Sequence, residues 1–155
     1  KWLETEKIVC EPRFQLTEYI TLPDSTSSMS KSLYQTEGKM DGLEYKMALA
    51  MTNMDNIRWW HRNPERNKFS FCLNGFRNHY PEFIVRTTSG KIILSETKGD
   101  QLENAESREN IRLGRAWQDA AGKQAYRYYM VFQNKDLKME GAYRFDEFLT
   151  LLKEL

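Results

Sequence analysis

Two glutamates and a lysine lie at the ends of two short apolar segments in the middle of the chain. Glu82 comes directly before the first segment, residues 83–85, and Glu96 and Lys98 follow the second, residues 92–94. Carboxylate oxygens are hard ligands that suit Mg²⁺, which binds one or two carboxylates and keeps several waters. A neighbouring lysine adds a positive charge that can stabilise a phosphate. These residue types therefore indicate a site for phosphodiester hydrolysis.

The two segments are predicted to form a β-hairpin, because a short polar loop that contains Gly90 joins them. If the hairpin folds about Ser89, Glu82 and Glu96 face each other with their Cβ atoms roughly 5 Å apart. Two carboxylates at that separation repel each other unless a cation or a proton lies between them. Lys98 shares the face of Glu96, since side chains two residues apart on a strand point the same way. A two-residue loop would shift the pairing by one residue and separate the glutamates.

Glu44 has two candidate roles. It lies three residues after Asp41 at the start of a helical pattern over 38–53, a spacing that is typical of a capping box. It also flanks the apolar stripe of that helix, so its carboxylate is a candidate third acid over the sheet. The pattern alone slightly favours the cap.

The length and composition describe one globular domain. Of the 155 residues, 40% are hydrophobic and 13% aromatic, which is typical of a packed core. No apolar run approaches the ~20 residues that a membrane-spanning helix needs. The two cysteines, Cys10 and Cys72, form no disulfide or zinc pattern, which favours a cytoplasmic protein. The net charge is +1, so any nucleic-acid surface must be local.

Two regions are predicted along the chain. Residues 1–36 are interpreted as an extension with one or two peripheral strands within 1–22 and a flexible, serine-rich linker over 22–32, whereas 37–155 form the main domain. The chain starts without methionine, which suggests a piece of a longer protein.

The main domain is predicted to have an α/β fold. After the first helix, the patterns predict strands at 57–61 and 69–73, the hairpin, a helix capped by Ser107 and ended by Gly122, a strand over 125–132 and a helix over 143–155. A strand–helix–strand unit after an antiparallel hairpin implies a mixed central sheet of four or five strands, flanked by helices.

Basic side chains in two places are candidates for phosphate contacts. They are Arg62, Arg66 and Lys68 in the loop after the strand at 57–61, and Arg108, Arg112 and Arg115 on one ridge of the second helix. A solvated surface is the simpler interpretation of both groups.

The order and motifs resemble the PD-(D/E)XK nuclease superfamily. The resemblance is carried by Pro81-Glu82, by the hairpin and by Glu96-Thr97-Lys98-Gly99, because the other acid-x-Lys triplets of the chain do not end an apolar strand. The segments from Glu44 through Trp59-Trp60, Tyr80-Pro-Glu-Phe and Glu-Thr-Lys-Gly-Asp are more closely similar to the C-terminal endonuclease domain of type III restriction enzyme cleavage subunits. Related DEAD/DEAH-type helicase proteins carry similar domains. The similarity covers roughly residues 37 to 135 and implies a restriction-endonuclease-like core.

The resemblance implies a Mg²⁺-dependent endodeoxyribonuclease, with Mn²⁺ as a substitute. Glu82, Glu96 and the Thr97 carbonyl would bind the metal, Lys98 would position the attacking water, and Glu44 would complete the site. The implied partners are DNA, an upstream helicase or ATPase domain of the same polypeptide, and a modification or specificity subunit, without a membrane. Cutting both strands needs two sites or two visits, which is compatible with a dimer.

One departure from the family leaves an alternative open. The first metal carboxylate of the superfamily is usually an aspartate, whereas this chain has Glu82. The alternative is therefore a nuclease-like DNA-binding or scaffolding module without catalytic activity. The simplest interpretation of an acid and a lysine on neighbouring strands is a surface salt bridge worth ~0 to 1 kcal/mol.

Overall fold

The computed structural model describes residues 25–64, 66, 70–75 and 77–155. Its strands are β1 (Ser25–Ser27), β2 (Glu37–Gly38), β3 (Ile57–Arg62), β4 (Leu73–Asn74), β5 (Asn78–His79), β6 (Phe83–Thr87), β7 (Ile92–Lys98), β8 (Tyr126–Phe132) and β9 (Ala142–Arg144). Its helices are α1 (Gly42–Asn53), α2 (Ala105–Ala121) and α3 (Phe145–Glu154), with a 3-10 turn at Asp100–Leu102. None of the helices in these ranges is long and apolar enough to span a membrane.

The fold centres on a five-stranded mixed sheet in the order β3-β6-β7-β8-β9. Strands β3, β6 and β7 pair antiparallel, whereas β7, β8 and β9 run parallel. Helices flank the sheet, so the predicted α/β class with a mixed central sheet is confirmed.

The predicted hairpin has the predicted register. Phe83 pairs with Ser95 and Ile84 with Leu94, which is the pairing of a hairpin that folds about Ser89. Gly90 lies in the turn with a φ of +94°, a value that glycine adopts without the steric cost that a side chain would add.

Two apolar clusters form the core, one on each face of the sheet. Helices α1 and α3 cover one face, where Met47 and Phe148 belong to the same buried cluster as Val85 and Ile93 of the sheet. Helix α2 covers the other face, where its buried residues pack on Ile84, Leu94 and Tyr128. The sheet is therefore buried between helical layers, which leaves its ends as the places where polar side chains can gather.

A glycine sets the distance between α2 and the sheet. A Cβ added at Gly114 would lie 2.2 Å from Cγ of Tyr128. No real side chain fits at that distance, so the helix can approach β8 this closely only because residue 114 is glycine.

The helix ends agree in part with the sequence. Asp41 and Glu44 form the predicted capping box of α1. Helix α2 starts earlier than predicted, because Asn104 is its N-cap and Ser107 occupies the third helical position of a second capping box. Gly122, with a φ of +107°, ends α2 as expected.

Several predicted segments differ from the structure. The prediction of a strand over 69–73 is wrong within the described residues, because only Leu73–Asn74 forms a strand there. Within the described part of the predicted linker, Ser25–Ser27 pairs with β2 and Ser32 bridges to Trp60 of β3. Strand β9 was not predicted. The strands expected within 1–22 lie outside the described residues.

Candidate active site

Glu82, Glu96 and Lys98 lie together at one end of the sheet. Glu96 and Lys98 are near the carboxyl end of β7, and Glu82 comes directly before the antiparallel β6. Ile84 and Leu94, two residues further into the hairpin, pair with each other and pack under α2. By the two-residue period of a strand, both carboxylates therefore lie on the α2 face.

Hydrogen bonds connect the two glutamates. The backbone N–H of Glu82 donates to Oε2 of Glu96 over 3.0 Å. The backbone N–H of Thr97 donates to Oε2 of Glu82 over 2.9 Å, and the Thr97 hydroxyl donates to the same oxygen. Nζ of Lys98 lies 3.0 Å from Oε1 of Glu96. Each carboxylate is thus held by the strand that carries the other one.

Burial makes this cluster different from a surface salt bridge. The side chain of Glu96 is 7% exposed, and that of Lys98 is 26% exposed. Ion pairs of low value are those between fully solvated side chains. The burial of these charged side chains therefore needs an explanation other than the solubility of the protein.

The pKa values of both acids are raised. Burial, together with the charge of the neighbouring Glu96, raises the pKa of Glu82 to about 9, although the hydrogen bonds from Thr97 act in the opposite direction. Burial raises the pKa of Glu96 to about 7, although Lys98 acts in the opposite direction. The pKa of Lys98 is also raised, since the attraction of Glu96 and Glu82 outweighs the cost of its burial. Without a bound cation, the pair therefore retains a proton at neutral pH while Lys98 stays charged.

The free energy of unfolding should reflect this retained proton. Because the folded-state pKa values exceed the unfolded value of 4.5, the stability contribution is complete below pH 4.5 and is lost as pH rises through about 7 and 9. In EDTA, the free energy of unfolding should fall less between pH 7 and 9 for Glu82→Gln than for wild type. We expect the two decreases to differ by an amount of the order of 2 kcal/mol. Urea unfolding at both pH values measures it. Equal losses would show that the carboxylates do not interact.

Glu44 caps helix α1, which was one of its two predicted roles. Its Oε2 accepts from the backbone N–H of Asp41 at 2.7 Å, and its Oε1 lies 3.0 Å from Nη2 of Arg62. Its charge nonetheless contributes to the raised pKa values of Glu82 and Glu96. Glu44 is therefore a neighbour of the pair, on the helix that covers the opposite face of the sheet.

The described part of the chain contains no group of three or more His, Cys, Asp or Glu side chains placed to hold a metal ion. A metal at this site would thus depend on two carboxylates, the backbone and water. The predicted ligand Thr97 is 5% exposed, and its N–H and hydroxyl both bind Glu82.

The predicted DNA-contacting residues are spread over different environments. Arg62 is engaged internally, since it binds Glu44 and also donates to the carbonyl of Lys39 over 2.9 Å. Arg108 pairs with Glu103 at 2.7 Å. Arg66 and Arg112 are exposed, and Lys68 lies outside the described residues. Arg112 is open to solvent and accessible to a phosphate, whereas Arg62 would first have to leave its partners.

A buried histidine–tyrosine pair behind the site was not predicted. Nε2 of His79 lies 2.7 Å from the hydroxyl of Tyr128, and both side chains are buried. Burial, with the charge of Lys98, lowers the pKa of His79 to about 4. Burial, with the charges of Glu96 and Glu82, raises the pKa of Tyr128. The two residues are 49 positions apart, so no local pattern could link them.

No protein-family model matches the chain, and no curated protein or solved structure matches it either. Any statement about activity must therefore rest on the chemistry of the site.

Proposed function

We propose that this domain hydrolyses DNA phosphodiester bonds as a Mg²⁺-dependent endonuclease. The observation that carries the proposal is the opposed pair of a buried Glu96 and a half-buried Glu82, with Lys98 bound to Glu96. A fold gains nothing from burying two acids face to face, because burial and mutual repulsion both oppose their ionisation. Such an arrangement is favourable when the function supplies a cation.

The donors fit Mg²⁺. The pair offers hard oxygen atoms, and Mg²⁺ typically binds one or two carboxylates and retains several waters. Glu82, Glu96 and the Thr97 carbonyl would hold the ion, and Mn²⁺ would substitute for it. When bound, the ion would polarise the phosphate and activate water for attack.

The protein residues would divide the remaining work. Lys98, which stays charged because its pKa is raised, would orient the attacking water and stabilise the charge that develops on the phosphate. Thr97 would fix the position of Glu82 through its N–H and hydroxyl. Glu44 would orient water at the rim of the site from α1.

The wider setting belongs to the same proposal. Exposed Arg66 and Arg112, with Lys68, would contact the DNA backbone, and Arg108 and Arg62 would do so after release from their acidic partners. Such contacts fix position but not sequence. The domain would then act in the cytoplasm as the cleavage part of a restriction or helicase–nuclease protein, with a type III-like architecture.

Plasmid cleavage by the full chain tests the proposal. We expect wild type to nick or linearise DNA with Mg²⁺ or Mn²⁺ and not with EDTA. Glu96→Ala should lower the rate at least about 100-fold, because it removes a ligand from the only opposed pair at this end of the described sheet. Glu109→Ala is the matched control, since Glu109 is an exposed acid on α2.

Two results would contradict the proposal. Equal cleavage by wild type and Glu96→Ala would place the activity elsewhere or in a contaminant. Metal-independent DNA binding without any cleavage would instead support the alternative of an inactive DNA-binding module, for which the departure at Glu82 is the argument.

A further inference from the structure

A cleft of about 340 Å³ opens at the same end of the sheet, on the face covered by α1 and α3. Its walls are Leu43 and Lys46 of α1, Gln133 and Asn134 after β8, Arg144 at the end of β9, and Phe145 and the acidic Asp146 at the start of α3. Ligand sites of proteins have volumes of about 300 to 1,000 Å³. The cleft is thus large enough for one small ligand unit.

The cleft and the carboxylate pair lie at the same end of the sheet, the cleft on the face covered by α1 and α3 and the pair on the α2 face. Lys98 of β7 and Phe132 of β8 are directly paired, and Gln133 is the next residue. From the strand spacing and the rise per residue, the Cα atoms of Lys98 and Gln133 are about 6 Å apart. Asp100, two residues after Lys98, fixes this region by accepting from the backbone N–H of Asn134 over 3.0 Å. A polymer that crosses the carboxyl ends of these strands would therefore meet the acids on one face and the cleft on the other.

The groups in the cleft suit a nucleotide. Lys46 is exposed, and within the described residues its ammonium has no ion-pair or hydrogen-bond partner. Gln133 is likewise exposed, and its amide has no partner in the same part of the chain. Phe145, which also lines the cleft, is half-buried, with its ring packed in part against the core cluster on this face. By contrast, Arg144 is largely neutralised by Asp146 and Glu147. One free cation, one free amide and one ring match a phosphate, a base edge and a base face.

We propose that the cleft binds an unpaired nucleotide of a DNA strand that crosses this end of the sheet. The inference rests on the proposed nuclease function and adds a substrate class to it. A base within a duplex cannot reach a ring in a cleft unless it leaves the stack, which costs a few kcal/mol. Stacking and amide contacts are therefore available only where the strand is already open, and open DNA becomes the preferred substrate.

Fluorescence anisotropy in EDTA measures this preference without cleavage. The probes are a labelled, fully paired duplex and the same duplex with a short unpaired bubble. Because stacking of one base on an aromatic side chain is worth ~1 to 3 kcal/mol, wild type should bind the bubble about 10-fold more tightly. Gln133→Ala and Phe145→Leu should abolish most of this ratio. Lys46→Ala should weaken binding of the bubble about 5-fold by loss of one phosphate contact.

The control is Lys123→Ala. Lys123 is also exposed but precedes β8, at the opposite end of the sheet, so its removal should leave the ratio unchanged. Gln133 and Lys46 are surface residues, so their variants remain informative if Phe145→Leu fails to fold.

The outcomes separate the two proposals. If bubble preference depends on the cleft but no DNA is cut with Mg²⁺ or Mn²⁺, the cleft inference stands and the nuclease function falls. If DNA is cut but paired and open probes bind equally, or the cleft variants match wild type, the cleft inference is overturned.

Discussion

Replacing Lys98 with methionine is expected to lower kcat for DNA cleavage by about 100- to 1,000-fold, with little change in DNA affinity. A positioned charge that stabilises the transition state is typically worth this much. Lys98 lies 3.0 Å from Glu96, and its raised pKa keeps it charged across the neutral range. Methionine keeps the length and the apolar stem of the side chain but removes the charge.

The measurement is the single-turnover rate of plasmid cleavage with saturating Mg²⁺, together with DNA affinity in EDTA. Lys91→Met is the matched control, because Lys91 lies at the hairpin turn next to the start of the same strand. A fall in kcat of less than about 3-fold for Lys98→Met would remove Lys98 from the catalytic mechanism. If circular dichroism shows that part of the Lys98→Met protein is unfolded, its kcat is divided by the folded fraction before the comparison.

The hairpin could be predicted because its information is local. Gly90 and the polar residues around it specify the turn, and the turn specifies the register. Once the register is known, the pairing of Glu82 with Glu96 follows from geometry alone. The capping box of α1 was predictable for the same reason, since Asp41 and Glu44 are separated by one helical turn.

Other features depend on contacts between distant parts of the chain. Strand β9 is only three residues long, Ala142–Arg144, and runs directly into α3, so its pattern is hidden by the helical periodicity that follows. The pairing of Arg62 with Glu44 joins β3 to α1, and the local sequence around either residue does not indicate the other as its partner. The cleft is formed by three separate segments, and its existence depends on how α1 and α3 sit over the sheet.

The side chain at position 82 can be interpreted in the same physical terms. Glutamate is one methylene longer than aspartate, and here the added length accompanies hydrogen bonds to the N–H and hydroxyl of Thr97 on the neighbouring strand. These bonds fix a carboxylate that would otherwise have an additional free torsion angle. The longer side chain of Glu82 is thus held in a defined position by its hydrogen bonds to Thr97.

Cation binding by wild type is expected to strengthen about 10-fold for each pH unit between 7 and 9, and to level off above about 9. Binding requires both carboxylates to be ionised, so a cation must displace the proton that the pair retains. Because the pKa values of Glu82 and Glu96 are raised to about 9 and about 7, about one proton should leave per cation near pH 8, and somewhat more near pH 7, where Glu96 is only half ionised. A one-proton exchange changes the apparent affinity by a factor of 10 per pH unit.

Titration calorimetry with Mn²⁺, in two buffers that differ in ionisation enthalpy, measures the proton release directly. Glu82→Gln should bind Mn²⁺ more weakly and show little dependence on pH between 8 and 9, because its remaining acid, Glu96, is already ionised there. The pH profile of cleavage should follow the wild-type affinity when the metal is subsaturating and flatten when it is saturating. An affinity that changes less than about 2-fold between pH 7 and 9 would mean that the cation does not displace a proton from Glu82 and Glu96. The metal would then have to bind elsewhere, and the acidic pair would lose its functional explanation.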